Sequence, residues 1–207
     1  MSERGREMKK QPEITEQTRQ NLMEAFWRIY SVEDLSACTV RRVTETAGYC
    51  RSTFYEYFRD IPDLLEQLED EIVAECTSDV SALFLNTTLE QITASAEGIH
   101  RSHGDQFYVL LVKNNNMTFY NKLKDAVCDA VLESMETEEG EEYAVYAVDY
   151  ASSGYINCFM RWYREGKKLP LEEIGAFIFE LLRHGVLPAA VPYVKSKPME
   201  KLISAGE

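Results

Sequence analysis

Apolar positions along this chain recur with the period of a helix from one end to the other. Leu22, Ala25, Phe26, Ile29 and Tyr30 fall at i, i+3, i+4, i+7 and i+8, which predicts an amphipathic helix over residues 15–31. Thr39 suits the N-cap of a short helix, Val40 to Ala47, with Val40, Val43 and Ala47 as its apolar face. Gly48 ends that helix, because a left-handed residue after the last turn costs glycine little. A third helix follows after only Tyr49 and Cys50, with Phe54 and Phe58 stacked at i, i+4. Asp60 caps a fourth, residues 62–85, with Pro62 in its first turn and Leu64, Leu65, Leu68, Ile72 and Val73 along its inner stripe.

Beyond residue 86 the pattern loosens. NTTLEQITASAEGIHRSHGD predicts a small, polar helix with an interrupted end. FYVLLVKN reads as a short buried helix and MTFYNKLKDAVCDAVLESM as a longer one. METEEGEE is an acidic loop, and residues 141–165 and 171–187 give two long apolar helices divided by EGKKLP. Pro170 fits the first turn of the second, with Glu172 and Glu173 at its positive end. Neither strand alternation nor an internal repeat is evident, so the expected class is all-α.

Composition adds little until it is divided. The 207 residues carry a net charge of −13, yet residues 1–59 hold 10 Lys+Arg against 9 Asp+Glu, and residues 60–207 hold 12 against 26. An acidic chain does not ordinarily seek nucleic acid, whose binding draws on cations that neutralise phosphate. This split allows an anion-facing end, bearing Arg4, Arg6, Lys9, Lys10, Arg41, Arg42, Arg51 and Arg59, on an acidic body. Cys38, Cys50, Cys76, Cys128 and Cys158 are odd in number and form no C-x-x-C pair, which points to reduced thiols in a cytosol. The charged N-terminus is unlike a signal peptide, and no apolar run approaches the roughly 18 residues of a membrane span. A cytoplasmic location is expected. No nucleophile elbow, phosphate loop or H-E-x-x-H is found, so neither enzyme nor cofactor is expected.

A helix, a glycine turn and a second short helix make the helix-turn-helix outline. A helix that enters a major groove needs short polar or basic groups on its outer face, and Arg51, Ser52, Thr53, Tyr55 and Tyr57 provide them while Phe54 and Phe58 hold it inward. Thr39 and the free amides at the start of the preceding helix make a phosphate site. The stretch TVRRVTETAGYCRSTFYEYFRDIPDLL closely resembles the N-terminal domain of TetR-type transcriptional regulators, matching at Thr39, Val40, Val43, Ala47, Gly48, Tyr49, Thr53, Phe54, Tyr55, Tyr57 and Phe58. The resemblance covers about residues 15–75. It implies a three-helix DNA-binding domain over residues 1–60, including a basic tail, and a larger helical effector-binding and dimerisation domain over residues 61–207. By this resemblance Thr39 and Tyr55 would contact phosphate, Arg51, Ser52 and Thr53 would lie nearest the bases, and Tyr57 would contact the backbone. Arg41, Arg42, Cys50 and Arg59 complete the expected DNA-facing set. Cys50 stands where the family usually has Ser or Thr. Ile61 stands where lysine is common, with Arg59 or the Arg4–Lys10 tail as the compensating cation.

The remaining expectations concern the body. Ala144, Ala147, Ala151, Gly154 and Cys158 form a small-residue seam beside an aromatic one, Tyr143, Tyr146 and Tyr150, while Ile174, Phe177, Ile178, Leu181 and Leu182 form a broad stripe. Two such helices resemble the four-helix dimer interface of TetR-type proteins, so residues 141–165 and 171–187 are expected to join a homodimer. A dimer would set two reading helices about one DNA turn apart, matching a palindrome. An unknown small-molecule effector would bind within residues 86–165, with Tyr108, Phe119, Tyr120, Tyr155 and Asn157 as candidates beside Phe107, Met117 and Met160; core packing is the competing reading of each. His100 and His103 lack ligands to complete a metal site and are expected on a solvated helix end. The expected function is that of a repressor of TetR type, released from a double-stranded DNA operator by its effector through the fourth helix. The alternative is a helical co-activator or ligand-binding module acting through a protein partner.

Overall fold

The computed structural model describes residues 12–78, 89–134 and 141–185, and all the regular elements among them are helical. In chain order these are α1 (Pro12–Tyr30), a 3-10 turn (Leu35–Ala37), α2 (Val40–Ala47), α3 (Arg51–Tyr55) and α4 (Ile61–Ser78). They continue with α5 (Leu89–Phe107), a π-helical turn (Tyr108–Lys113), α6 (Met117–Ser134), α7 (Glu141–Arg164) and α8 (Leu171–His184). The chain divides into two compact units, Met1–Glu71 and Ile72–Glu207.

The first unit is built as the periodicity predicts. Leu22, Ala25, Phe26, Ile29 and Tyr30 are all buried, as are Val43, Phe54, Phe58, Leu64, Leu65 and Leu68. α1 packs on α2, and α2 on α3. α3 is only one turn long, so Phe58 lies beyond its end rather than within it. Its ring still meets Phe54, centroid to centroid at 5.4 Å. Each buried phenyl of this kind contributes about 1.5–3 kcal/mol relative to exposure. The 3-10 turn was not expected from the sequence. Of the predicted fourth helix, residues 79–85 lie outside the described residues.

In the second unit α6 and α7 pack along each other and α5 packs against α8. Cys128, Val131 and Val148 form a cluster between α6 and α7. The interrupted end expected for the polar segment NTTLEQITASAEGIHRSHGD is not seen at its C-terminal side: α5 runs unbroken and passes directly into the π-helical turn. A Cβ on Gly104 would lie 2.9 Å from the hydroxyl oxygen of Tyr163, so glycine there admits a close neighbour and does not break the helix. Asn116 begins α6 by accepting the amide of Phe119 at 3.0 Å. Of the expected acidic loop METEEGEE, residues 135–140 lie outside the described residues, and Glu141 and Glu142 are not loop but the first turn of α7.

Candidate nucleic-acid interface

Local forces set the turn between α2 and α3. Thr39, extended at φ −112° and ψ 151°, accepts the amide of Arg42 on its side-chain oxygen at 3.3 Å and so caps α2. At the other end Gly48 adopts φ +75° and ψ 27°, with the amides of Gly48 and Tyr49 both returning to the Thr44 carbonyl. No atom lies within 4 Å of a Cβ built at Gly48, so the positive φ alone requires glycine there. Asn21 of α1 donates to the Tyr49 hydroxyl at 2.9 Å, tying the turn to the core.

From that turn α3 projects Arg51, Ser52 and Tyr55 into solvent, while Thr53 and Tyr57 are half-buried and Phe54 is fully buried. Tyr55 stands edge-on to Phe54, 5.5 Å between centroids, and remains 59% exposed. Cys50 is exposed at the N-cap of α3, its sulfur 2.9 Å from Ser52 Oγ and 3.2 Å from Thr53 Oγ1. Those two hydroxyls stabilise the thiolate and lower the thiol to about 7. The Ser and Thr that follow Cys50 gave a local signal for this effect.

The arginines divide sharply. Arg42 makes a two-pronged bond to Glu33, at 2.7 and 3.0 Å, and a third to the Ala37 carbonyl at 3.0 Å. Arg59 grips Asp63 through its side chain at 2.8 and 3.1 Å, and its own amide donates to the same carboxylate. Arg41 pairs with Glu45 at 2.7 Å. Among the described residues, Arg51 is the one of these four with no ion pair. Ile61, where the family often has lysine, is 8% exposed and belongs to the core. Arg59 therefore does not replace that lysine as an uncommitted cation. The Arg4–Lys10 tail lies outside the described residues.

The effector candidates are dispersed within the second unit. Phe119 is fully buried core, whereas Tyr108 is 43% exposed. Asn157 is exposed on α7 and donates to the Tyr120 hydroxyl at 3.0 Å and to the Ser153 carbonyl at 2.8 Å, so these two candidates meet at the surface. Tyr155 instead joins a buried polar centre that the sequence did not disclose. His100 is buried, stacked on Phe159 at 3.7 Å, with Nδ1 3.0 Å from the Tyr163 hydroxyl and Nε2 3.2 Å from the Tyr155 hydroxyl. The expectation of a solvated end fails for His100, because α7 supplies both hydroxyls and the stacking ring. Burial, aided by the Lys167 ammonium, lowers the imidazole to about 3 and keeps it neutral. A neutral ring has one donor and one acceptor nitrogen, so one tyrosine donates to it and the other accepts. His103 pairs with Glu75 at 2.9 Å. Among the described residues no cluster could hold a metal ion, and no helix is long and apolar enough to cross a membrane. On α7, Tyr143, Tyr146 and Tyr150 are 74%, 76% and 68% exposed.

Comparison with known proteins agrees with this architecture. Residues 88–184 match a family model described as the C-terminal region of a transcriptional regulator, of TetR type. No curated protein matches the chain. The fatty acid degradation regulator FadR from Bacillus halodurans aligns with a TM-score of 0.63 at 16% identity, over 86% of this chain and 98% of its own. A TetR transcriptional regulator from Streptococcus agalactiae gives 0.62 at 18% identity, over 82% and 96%. A TetR-family transcriptional regulator from Streptomyces coelicolor gives 0.57 at 16%, over 92% and 88%. At such identities these structures show the shared fold, and the family model covers the body behind the helix-turn-helix. Together they show that the chain shares the fold of TetR-type transcriptional regulators and that residues 88–184 resemble the C-terminal region of such a regulator.

Proposed function

We propose that the chain is a cytoplasmic, homodimeric repressor that binds a palindromic DNA operator and leaves it when a small-molecule effector binds. Residues 1–60 form the DNA-binding domain, and residues 61–207 form the effector-binding and dimerisation domain. The observation that carries the reading is the exposure of Arg51, Ser52 and Tyr55 on a one-turn helix whose Phe54 is fully buried. Arg51 has no internal carboxylate partner among the described residues, so its charge is available to phosphate or to a guanine edge. Thr39 and the first amides of α2 receive a phosphate, Tyr55 a second, and Thr53 and Tyr57 border the groove.

Dimerisation through α7 and α8 is supported by the exposed tyrosine seam, since large apolar groups in a row on one helix mark an interaction surface. Signal passage through α4 is supported by its continuity from Ile61 to Ser78, across the division between the compact units. The effector site draws on the candidates above, with His100 as an added polar group. A second reading, a co-activator acting through a protein partner, is favoured by the internal pairing of Arg41, Arg42 and Arg59.

Titration of the chain with a labelled duplex spanning the DNA upstream of its own coding region separates the two. The repressor reading expects salt-dependent binding at low salt, weakened more than tenfold by Arg51→Ala and by Tyr55→Ala. No binding to any upstream fragment, or binding indifferent to both changes, refutes it. Sedimentation of the unmodified chain and of Tyr146→Glu tests the dimer, which the charge should dissociate.

A further inference from the structure

We propose that Gln67 is a positioning residue for DNA recognition, holding the end of the α3 segment at Tyr57 in register against α4; this rests on the DNA-binding reading above. Its side-chain amide is spanned at both ends. Oε1 accepts from Arg19 of α1, from Nε at 3.3 Å and Nη2 at 3.2 Å. Nε2 donates to the Tyr57 carbonyl at 3.4 Å and to Asp63 Oδ2 at 3.3 Å. The chemistry of these neighbours fixes the orientation, because arginine can only donate and a carbonyl and a carboxylate can only accept. Asp63 Oδ2 also accepts the Arg59 amide at 2.8 Å, so one α4 face holds two backbone groups of the segment that leaves α3.

This segment needs such support. α3 is a single turn of five residues, and beyond it the amides of Tyr57 and Phe58 both return to the Phe54 carbonyl at 3.0 Å while the Phe58 ring is held by packing, with the Arg19 guanidinium 6.0 Å from it. Gln67 therefore joins three elements at one amide: α1 through Arg19, α4 through its own backbone, and the groove-facing segment through Tyr57. Glu71 also pairs with Arg19 but has no bond to the α3 segment, which makes it the natural control.

The test is a double-mutant cycle read by fluorescence anisotropy on the upstream duplex. Gln67→Met removes both donations without adding charge, and Tyr57→Phe removes the hydroxyl that the bound duplex would meet. Gln67→Met is expected to weaken binding about tenfold, with Glu71→Gln within about twofold of the unmodified chain. The double variant should lose at least about threefold less than the product of the two single losses, whereas pairing Gln67→Met with Thr39→Ala should give the simple product. Gln67→Glu keeps the shape and the Arg19 contact but cannot donate. It should reproduce the loss, which covers the case in which the Met variant fails to fold. Simple multiplicative behaviour with Tyr57→Phe, or affinity unchanged by both Gln67 variants, overturns the proposal while leaving DNA binding intact. A duplex that the unmodified chain does not bind overturns both.

Discussion

In the N-terminal unit the ion pairs of Arg42 with Glu33 and Arg59 with Asp63 lie at the rim, and the core around Phe26, Phe54 and Phe58 is mainly hydrocarbon, with Thr44 and Glu69 as its buried polar side chains. The C-terminal unit places an imidazole inside, between two phenols and against a phenyl ring. A rim of ion pairs tolerates exchange, because exposed pairs contribute little and salt screens them. A buried polar centre does not, because each group that loses its partner keeps the full cost of its desolvation. The two units should therefore fail in different ways.

The largest effect is expected in the N-terminal core. Phe58→Ala removes a ring that is 2% exposed and should destabilise that unit by about 3–5 kcal/mol, read as a lower thermal midpoint together with lost duplex binding. Next comes the polar centre. Gly104→Ala puts a methyl against the Tyr163 hydroxyl, displacing it from His100, and should cost about 1–3 kcal/mol in denaturant unfolding of the C-terminal unit.

The pH response sharpens the contrast. His100 sits at about 3 in the fold against an ordinary 6.5, so protons bind the unfolded chain more readily. Its stabilisation is complete above pH 6.5 and is lost as pH falls towards 3, at up to about 1.4 kcal/mol per pH unit. Replacing His100 by Gln should flatten that slope in pH-dependent unfolding, while the Tyr155 and Tyr163 phenols, raised by burial, stay protonated across the window. The smallest effect belongs to Cys50. Its thiolate fills as pH rises through about 7 and places negative charge on the duplex-facing side, so affinity should fall severalfold between pH 6 and 8. Cys50→Ser should remove that dependence and leave a titration nearly flat with pH.

These differences also explain what could be read along the chain. The helix-turn-helix was legible because Thr39, Gly48, Phe54 and Phe58 act within a few residues of themselves, through caps, a positive φ and i, i+4 stacking. Two of the arginine pairs were in principle legible too, since Arg41 with Glu45 and Arg59 with Asp63 have i, i+4 spacing. Arg42 was not, because Glu33 reaches it across an unexpected 3-10 turn. His100 was least legible of all. Its partners lie 55 and 63 residues away, and the polar sequence of α5 gave no stripe to say which face would be covered. Asn157, an amide in an apolar run, suggested the interior and instead lies exposed.

The account's central claim is that recognition rests on Arg51, the one of Arg41, Arg42, Arg51 and Arg59 with no ion pair among the described residues. The salt dependence of duplex binding for Arg51→Ala and Arg59→Ala, measured side by side, tests it most directly. Arg51→Ala should lower affinity at least about tenfold and reduce the slope of log affinity against log salt by about one. Arg59→Ala, already neutralised by Asp63, should leave the slope unchanged. Equal slopes for Arg51→Ala and the unmodified chain, with the loss falling on Arg59→Ala instead, would contradict the account.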